Sequence, residues 1–201
     1  MYRAPNTSAE RLTTIARADQ RSRTWAQTEV LRIADYKPFQ VLDGEGLRCS
    51  LYVSYCPFRC LGCYNKAAQK KNYGFAYTAE LEERILQDLS QPHVAGLTLV
   101  GGEPFLSAKH LLALVRRIRA EVPGATVWSY SGYTWETLQS FTDERRDLLR
   151  ELDVLIDGQF IAEERDEACV PTFAGSANQR LIDVPVSLAD GVVVAYAPAV
   201  V

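Results

Sequence analysis

From about residue 31 onward, short apolar runs alternate with amphipathic segments, and that alternation constrains the fold more than any other feature of the chain. Residues 48–54 (Arg-Cys-Ser-Leu-Tyr-Val-Ser) read as a strand running straight into a loop marked by Pro57 and Gly62. The spacing predicts a helix over 78–90, with Thr78 as its cap, Glu80, Glu82 and Glu83 at its positive end, and Leu81, Ile85 and Leu89 on one face. Residues 97–100 read as a short buried strand followed by Gly101-Gly102-Glu103-Pro104. Ser107 is the expected cap of the next helix, whose apolar side carries Leu111, Leu114, Val115 and Ile118. After the break at Pro123-Gly124 come a strand over 125–130 ending in Ser131-Gly132, helices over 134–140 and 143–151, and a strand over 154–156 closed by Asp157-Gly158. The segments 180–184 and 191–196 read as β or loop closure.

Strand, loop, helix, strand is the pattern of a parallel α/β sheet with crossover helices. Such folds carry their chemistry in loops at the C-terminal ends of strands. Three unusual loops are expected there: the cysteine-rich segment, Gly101-Gly102-Glu103-Pro104, and Tyr130-Ser131-Gly132-Tyr133. A complete eight-unit barrel needs roughly 250 residues, and this chain has 201. The expected architecture is therefore α/β, a partial, open (β/α) barrel. Residues 1–29, rich in Arg, Thr, Ser and Ala, read as a flexible N-terminal extension with room for a short helix over 9–18, and 30–201 as the single folded domain.

Hydrophobic residues make up 47% of the chain and charged residues 23%, which suits an ordinary soluble domain. The formal net charge of −3 lacks the basic excess of a general nucleic-acid binder. No apolar run is long enough to span a bilayer, and the N-terminus lacks a secretory stretch, so a cytoplasmic location is expected.

Of the five cysteines, Cys56, Cys60 and Cys63 crowd into one loop while Cys49 and Cys169 stand apart. In a reducing compartment such clusters bind metal or do redox chemistry. Thiolates are soft ligands suited to zinc or iron–sulfur centres. A cubane cluster in an electron carrier takes one cysteine per iron. Three local cysteines would leave one iron open, which is what catalysis needs. Two blander readings remain at this level. One is a structural zinc site using His93 or His110; the other is an electron-transfer cluster with Cys49 or Cys169 as fourth ligand. Cys49 itself lies in a strand pattern and reads as a small buried hydrophobe.

The C-x3-C-x2-C loop resembles that of the radical S-adenosylmethionine superfamily. Further motifs narrow the resemblance to the activating proteins of anaerobic (class III) ribonucleotide reductases. They are Arg32-Ile33-Ala34-Asp35-Tyr36, Asp43-Gly44-Glu45-Gly46, Gly62-Cys63-Tyr64-Asn65, Gly101-Gly102-Glu103-Pro104, Tyr130-Ser131-Gly132-Tyr133, residues 153–160, and Gly175-Ser176-Ala177-Asn178-Gln179-Arg180. The wider superfamily usually has an aromatic residue where Gly62 stands; here Tyr64 follows Cys63 instead, as in the reductase-activase pattern. The resemblance implies a 4Fe–4S cluster on Cys56, Cys60 and Cys63 and S-adenosylmethionine on its open iron. It implies that Gly101, Gly102 and Glu103 seat the amino group of the methionine part. Gly62, Cys63 and Tyr64 would then lie against the adenosyl group, with Ser131 and Gly132 near the ribose. The implied reaction is reductive cleavage to a 5′-deoxyadenosyl radical that generates a glycyl radical on the large subunit of the reductase. Related small enzymes, such as formate-lyase activases or deazaguanine synthases, share the cluster but act on other substrates. A non-enzymatic iron–sulfur or zinc module is the remaining alternative.

One cluster needs an external electron donor. Arg48, Arg59, Lys66, Lys70 and Lys71 are expected to form a basic rim for an acidic flavodoxin or ferredoxin. Asp43-Gly44-Glu45-Gly46 reads as a turn. Asp153, Asp157, Asn178, Gln179 and Arg180 are candidates for a partner-docking surface.

Overall fold

The structure is a computed structural model that describes residues 30–165 and 170–199. The expected N-terminal extension and its helix lie outside the described residues, as does Cys169. The described chain forms one sheet of strands β1 (Arg32–Gln40), β2 (Arg48–Val53), β3 (Phe75–Ala76), β4 (Gly96–Gly101), β5 (Thr126–Tyr130), β6 (Val154–Asp157) and β7 (Arg180–Asp183). Its spatial order is β3-β1-β2-β4-β5-β6-β7. Five α-helices accompany the sheet among the described residues: α1 (Ala79–Leu89), α2 (Ala108–Glu121), α3 (Trp135–Ser140), α4 (Glu144–Arg150) and α5 (Val184–Asp190).

The expected parallel arrangement holds for the inner strands β2, β4, β5 and β6. It fails at the flanks, where β1 runs antiparallel to β2 and β3, and β7 antiparallel to β6. The fold is therefore a mixed α/β sheet. The 41–47 loop between β1 and β2 is too short for a parallel crossover, which takes a dozen or more residues.

Residues of opposite parity on the inner strands build two separate cores, as strand geometry requires. Cys49, Leu51, Leu97, Leu99, Val127 and Leu155 pack with Ile85, Leu111, Val115, Ile118, Leu148 and Leu149 of the helices. On the other face Trp128, Val154, Ile156 and Leu181 form a smaller cluster, against which Tyr130, Phe173, Ala174 and Tyr196 pack. The second face thus has loops over it, and a cavity.

Several local expectations need correction. Ser107 precedes α2 but its side chain does not cap it. The chain first makes a 3-10 turn over Pro104–Ser107, capped by the Glu103 side chain, and the buried Ser107 Oγ finds no partner. Strand β1 is not apparent in the sequence because Pro38 interrupts it. Pro38 falls where the β1–β2 register shifts, and β3 covers β1 only at Arg32 and Ile33, so no ladder bond is lost there. Helix α5 is hidden by Val184 and Val186, which favour strands, although Asp183 caps it, Pro185 sits in its first turn and Gly191 ends it at φ 72°.

Candidate functional site

Strand β2 leads directly into the cysteine loop, and backbone bonds fix its exit. Ser54 N–H donates to Arg32 O at 2.9 Å, Tyr55 N–H to Ala68 O at 2.7 Å and Cys56 N–H to Gln69 O at 3.4 Å. The tight turns inside the loop need left-handed backbone at Tyr55 (φ 79°), Arg59 (φ 50°) and Gly62 (φ 73°). Cys63 N–H closes back on Cys60 O at 3.3 Å. Phe58 is the loop's anchor: it is buried in the main core, edge-on to Tyr133 at 4.9 Å. A Cβ on Gly132 would stand 2.4 Å from the Phe58 ring, so glycine there makes room for the anchor.

The loop after β4 is tied to the same exit. Gly102 N–H donates to Val53 O at 2.7 Å, and Glu103 N–H to Tyr55 O at 2.8 Å. The buried Glu103 carboxylate then accepts from Gly132 N–H at 2.7 Å, Ser131 Oγ at 3.0 Å and Phe105 N–H at 3.1 Å. Burial pushes this carboxyl up to about 7, against the pull of those three bonds. Ser131 Oγ in turn accepts from Tyr133 N–H at 3.0 Å. The loops after β2, β4 and β5, three neighbouring parallel strands, are thereby laced together at their C-terminal ends, as the sequence predicts.

The three loop thiols sense one another. Burial pushes Cys56 well up, with the negative charges of Glu103 and Cys60 adding to it. Burial, then Cys63, pushes Cys60 up to about 11. Soft donors of this kind, with Cys56 and Cys60 costly to ionise alone, suit a positive metal centre that would hold them as thiolates. The donor set therefore fits a thiolate-bound iron–sulfur cluster. Among the described residues no three Cys, His, Asp or Glu side chains converge as on one metal ion. His93 packs on the Phe39 ring at 5.8 Å, and His110 lies in α2. Cys49 is buried in β2, opposite Leu97, beside the Tyr36 hydroxyl.

A cavity of ≈ 460 Å³ opens between the cysteine loop and the second face of the sheet. Gly62, Cys63 and Tyr64 line it, joined by Asp43, Asn65, Val100, Tyr130, Phe160, Phe173 and Gln179. Gly101, Gly102, Glu103 and Ser131 do not line it; they brace the loops behind it. Sequence reasoning missed Asp43, Val100, Tyr130, Phe160 and Phe173. Asp43 lies in a motif that reads as a turn, yet it is held for a purpose. Tyr52 OH donates to its carboxylate, Gln40 Nε2 donates at 2.6 Å, and Asp43 O accepts from Thr98 Oγ1 at 2.9 Å. Gly44, at φ 142°, lets this loop lie on the sheet, since a Cβ there would sit 2.8 Å from Trp128.

Two expected surfaces hold only in part. Arg48 cannot belong to a basic rim, because it is buried over the Trp128 ring. Its guanidinium donates to Thr98 Oγ1, Thr126 Oγ1 and the carbonyls of Leu97, Thr126 and Glu45 at 2.8–3.3 Å, and burial lowers it to about 10. Arg59, Lys66, Lys70 and Lys71 are exposed. Of the expected docking group Asp157 and Gln179 are buried, while Asp153, Asn178 and Arg180 are half-buried. Asp157 is buried, accepting from Trp135 N–H and pairing with Arg180. Asp153 holds Val127 N–H and Arg119. Asn178 and Gln179 donate to the carbonyls of Gln159 and Gly158. A larger hollow of ≈ 630 Å³, lined by Glu45, Arg48, Asp153 and Tyr196, lies at the opposite ends of the strands, away from the thiols.

Among the described residues no helix is long and apolar enough to cross a membrane. Residues 42–182 match the protein family described as a 4Fe-4S single cluster domain. The chain is 40% identical over 148 residues to the anaerobic ribonucleoside-triphosphate reductase-activating protein of Vibrio cholerae, covering 72% of this chain and 92% of that protein. It is 38% identical over 153 residues to the protein of that name from Salmonella typhimurium, covering 74% and 96%. With the Escherichia coli K12 protein of the same name it shares 36% identity over 148 residues, covering 72% and 93%.

Proposed function

Because this chain belongs to the family of anaerobic ribonucleoside-triphosphate reductase-activating proteins, we propose that it generates the glycyl radical of such a reductase. In this reading Cys56, Cys60 and Cys63 hold a 4Fe–4S cluster, and S-adenosylmethionine occupies the cavity beside Cys63. Loaded in this way, the site supplies one-electron cleavage of the sulfonium to methionine and a 5′-deoxyadenosyl radical, by which a reductase glycine loses a hydrogen atom.

The chain's own part is positioning. Gly62, Cys63 and Tyr64 bound the cavity and would lie against the adenosyl group. Gly101 and Gly102 would bear on the cofactor's amino group through the end of β2 and the cysteine loop, against whose backbone at Val53 and Tyr55 they pack too closely for a side chain. Glu103 works from behind them, since its carboxylate is occupied by Ser131, Gly132 and Phe105. Ser131 accordingly bears on the ribose through the loop it stabilises. The single observation that carries this reading is the lacing of the Cys56, Gly102 and Ser131 loops into one rigid edge beside the cavity. Rigid placement of reacting groups is where such a site gains its rate.

The finer architecture we assign is the partial, open barrel, with the second sheet face as its interior and residues 30–201 as the domain; 1–29 extend it. The large subunit of the reductase is the protein substrate. Electrons come from an acidic flavodoxin or ferredoxin, for which exposed Lys66, Lys70 and Lys71 supply attraction. A cytoplasmic location follows from that chemistry. Anaerobic reconstitution with iron and sulfide tests the whole reading. We expect deoxyadenosine under strong reductant, and a glycyl radical by electron paramagnetic resonance when the reductase is added. An iron-loaded chain that forms neither product refutes it.

A further inference from the structure

We infer that Glu45 is a positioning residue for the cavity: the segment after α5 grips its carboxylate and thereby fixes the loop that carries Leu42 and Asp43. This rests on the function proposed above and adds to it what holds one wall of the site. Leu42 and Asp43 line the cavity beside Cys63, while Glu45 and Gly46 line the larger hollow, so one loop walls both. Glu45 stands between Gly44 at φ 142° and Gly46 at φ 77°. Backbone flanked by two such glycines has the most freedom to lose, and it needs an outside hold to stay in one place. Glu45 supplies that hold with both of its oxygens. Tyr196 OH donates to one at 2.5 Å and Ala199 N–H to the other at 3.1 Å.

The grip is only as firm as what holds Tyr196, and that is the sheet itself. Asp183 N–H donates to Val194 O at 2.9 Å and Tyr196 N–H to Leu181 O at 2.9 Å, so the segment runs along β7. Ile182 and Ala195 pair antiparallel between these two bonds. The Tyr196 ring stands edge-on to the buried Trp128 at 5.1 Å. Trp128 also meets the loop at Gly44, where a Cβ would come within 2.8 Å of it. Arg48 adds a longer bond, 3.3 Å, to the Glu45 carbonyl. Asp43 has its own bonds to Tyr52, Gln40 and Thr98, which belong to β2, β1 and β4. Glu45 is tied instead to β7, at the other edge of the sheet. A loop held at Asp43 alone can pivot about it; held at Glu45 as well, it keeps Leu42 and Asp43 in place.

The test uses the full-length, iron-loaded chain with Glu45→Ala, Tyr196→Phe and Glu45→Gln. Thr78→Ala is the control, since it removes the cap of α1 and lines neither the cavity nor the hollow. Chymotryptic cleavage after Leu42, mapped by mass spectrometry, reads the hold itself. Equilibrium binding of S-adenosylmethionine reads the position of the wall. Glu45→Ala should speed cleavage and weaken binding, each about tenfold, the equivalent of about 1.4 kcal/mol. Tyr196→Phe should change both about threefold, since one of the two bonds survives. Glu45→Gln should stay within about twofold of wild type, because its amide can still accept from Ala199 and donate to Tyr196. Thr78→Ala should lose stability in urea while both readings stay at wild type. Unchanged cleavage or unchanged binding in Glu45→Ala overturns the inference, as does an equal loss of binding in Thr78→Ala. A wild-type chain that neither binds nor cleaves S-adenosylmethionine sinks the proposed function instead. Proteolysis at Leu42 still decides the hold in that event, so the two failures are distinct.

Discussion

Replacing Gly102 with alanine should disable the site while leaving most of the fold in place. The new Cβ would stand 2.4 Å from Tyr55 O, 2.7 Å from Tyr55 C and 3.0 Å from Ser54 C, all backbone atoms. Carbon–oxygen contacts of this kind normally sit at about 3.3 Å or beyond, so the two loops must part by roughly 0.9 Å. Two bonds hold them there, Gly102 N–H to Val53 O at 2.7 Å and Glu103 N–H to Tyr55 O at 2.8 Å. Opened by that amount, neither remains a hydrogen bond. Each loss costs about 0.5–1.5 kcal/mol, or about 1–3 if the amide is left buried and unpaired. The total is about 1–6 kcal/mol, concentrated at the residue before Cys56. A shift of about 1 Å in a catalytic arrangement can cost about 100-fold in rate. Anaerobic deoxyadenosine assays should show that loss, with iron per chain reduced and far-ultraviolet dichroism near wild type. Gly124→Ala is the companion: no atom lies within 4 Å of its Cβ, and only the strain at φ 98° should register, as a small stability loss. Turnover of Gly102→Ala within threefold of wild type would refute this account of the laced loops.

Other consequences can be checked directly. Serine at Cys56, Cys60 or Cys63 should abolish cluster loading, whereas Cys49→Ala, buried among helix-side residues, should load iron normally and lose about 1 kcal/mol of stability; iron analysis and urea titration decide. Glu103 has a folded pKa raised from 4.5 to about 7, so the native state binds its proton more tightly than the unfolded chain does. Stability should therefore fall as pH rises through that window, by about 3 kcal/mol, and Glu103→Gln should flatten the slope; a wild-type-to-variant difference independent of pH from 5 to 7.5 contradicts it. Arg48→Met strands the acceptors of five guanidinium bonds and should lower stability by about 3–5 kcal/mol without altering the salt dependence of reduction by a flavodoxin, as a surface cation would.

Helices α1 to α4 and the inner strands were legible from their apolar period, and at α1 the cap agrees as well: Thr78 accepts from Leu81 N–H, and Ile85 and Leu89 bury the expected face. The three loops were legible because glycine, proline and cysteine stand out where strands end. Much of the cavity wall was not. Tyr130 reads as the last residue of a strand, and nothing local says that it faces a hollow while Ser129 faces helices. Asp43 gains its place from Tyr52 and Gln40, contacts that depend on the register of the β1–β2 pair. Arg48 is the sharpest error. Its charge suggests exposure, and only the assembled strands supply the carbonyls and hydroxyls that let it be buried. Glu103 is a milder case, a charged residue whose partners lie on the loop one strand away.

The loop that carries Asp43 is fastened at its far end by the chain's later residues: Tyr196 OH donates to Glu45 at 2.5 Å, and Ala199 N–H at 3.1 Å. The two ends of that clasp are 151 positions apart in sequence. During synthesis they cannot meet until residue 196 has left the ribosome, long after the cysteines have emerged. The loop that carries Asp43 can therefore be fastened at this end only after the cysteine loop has been made.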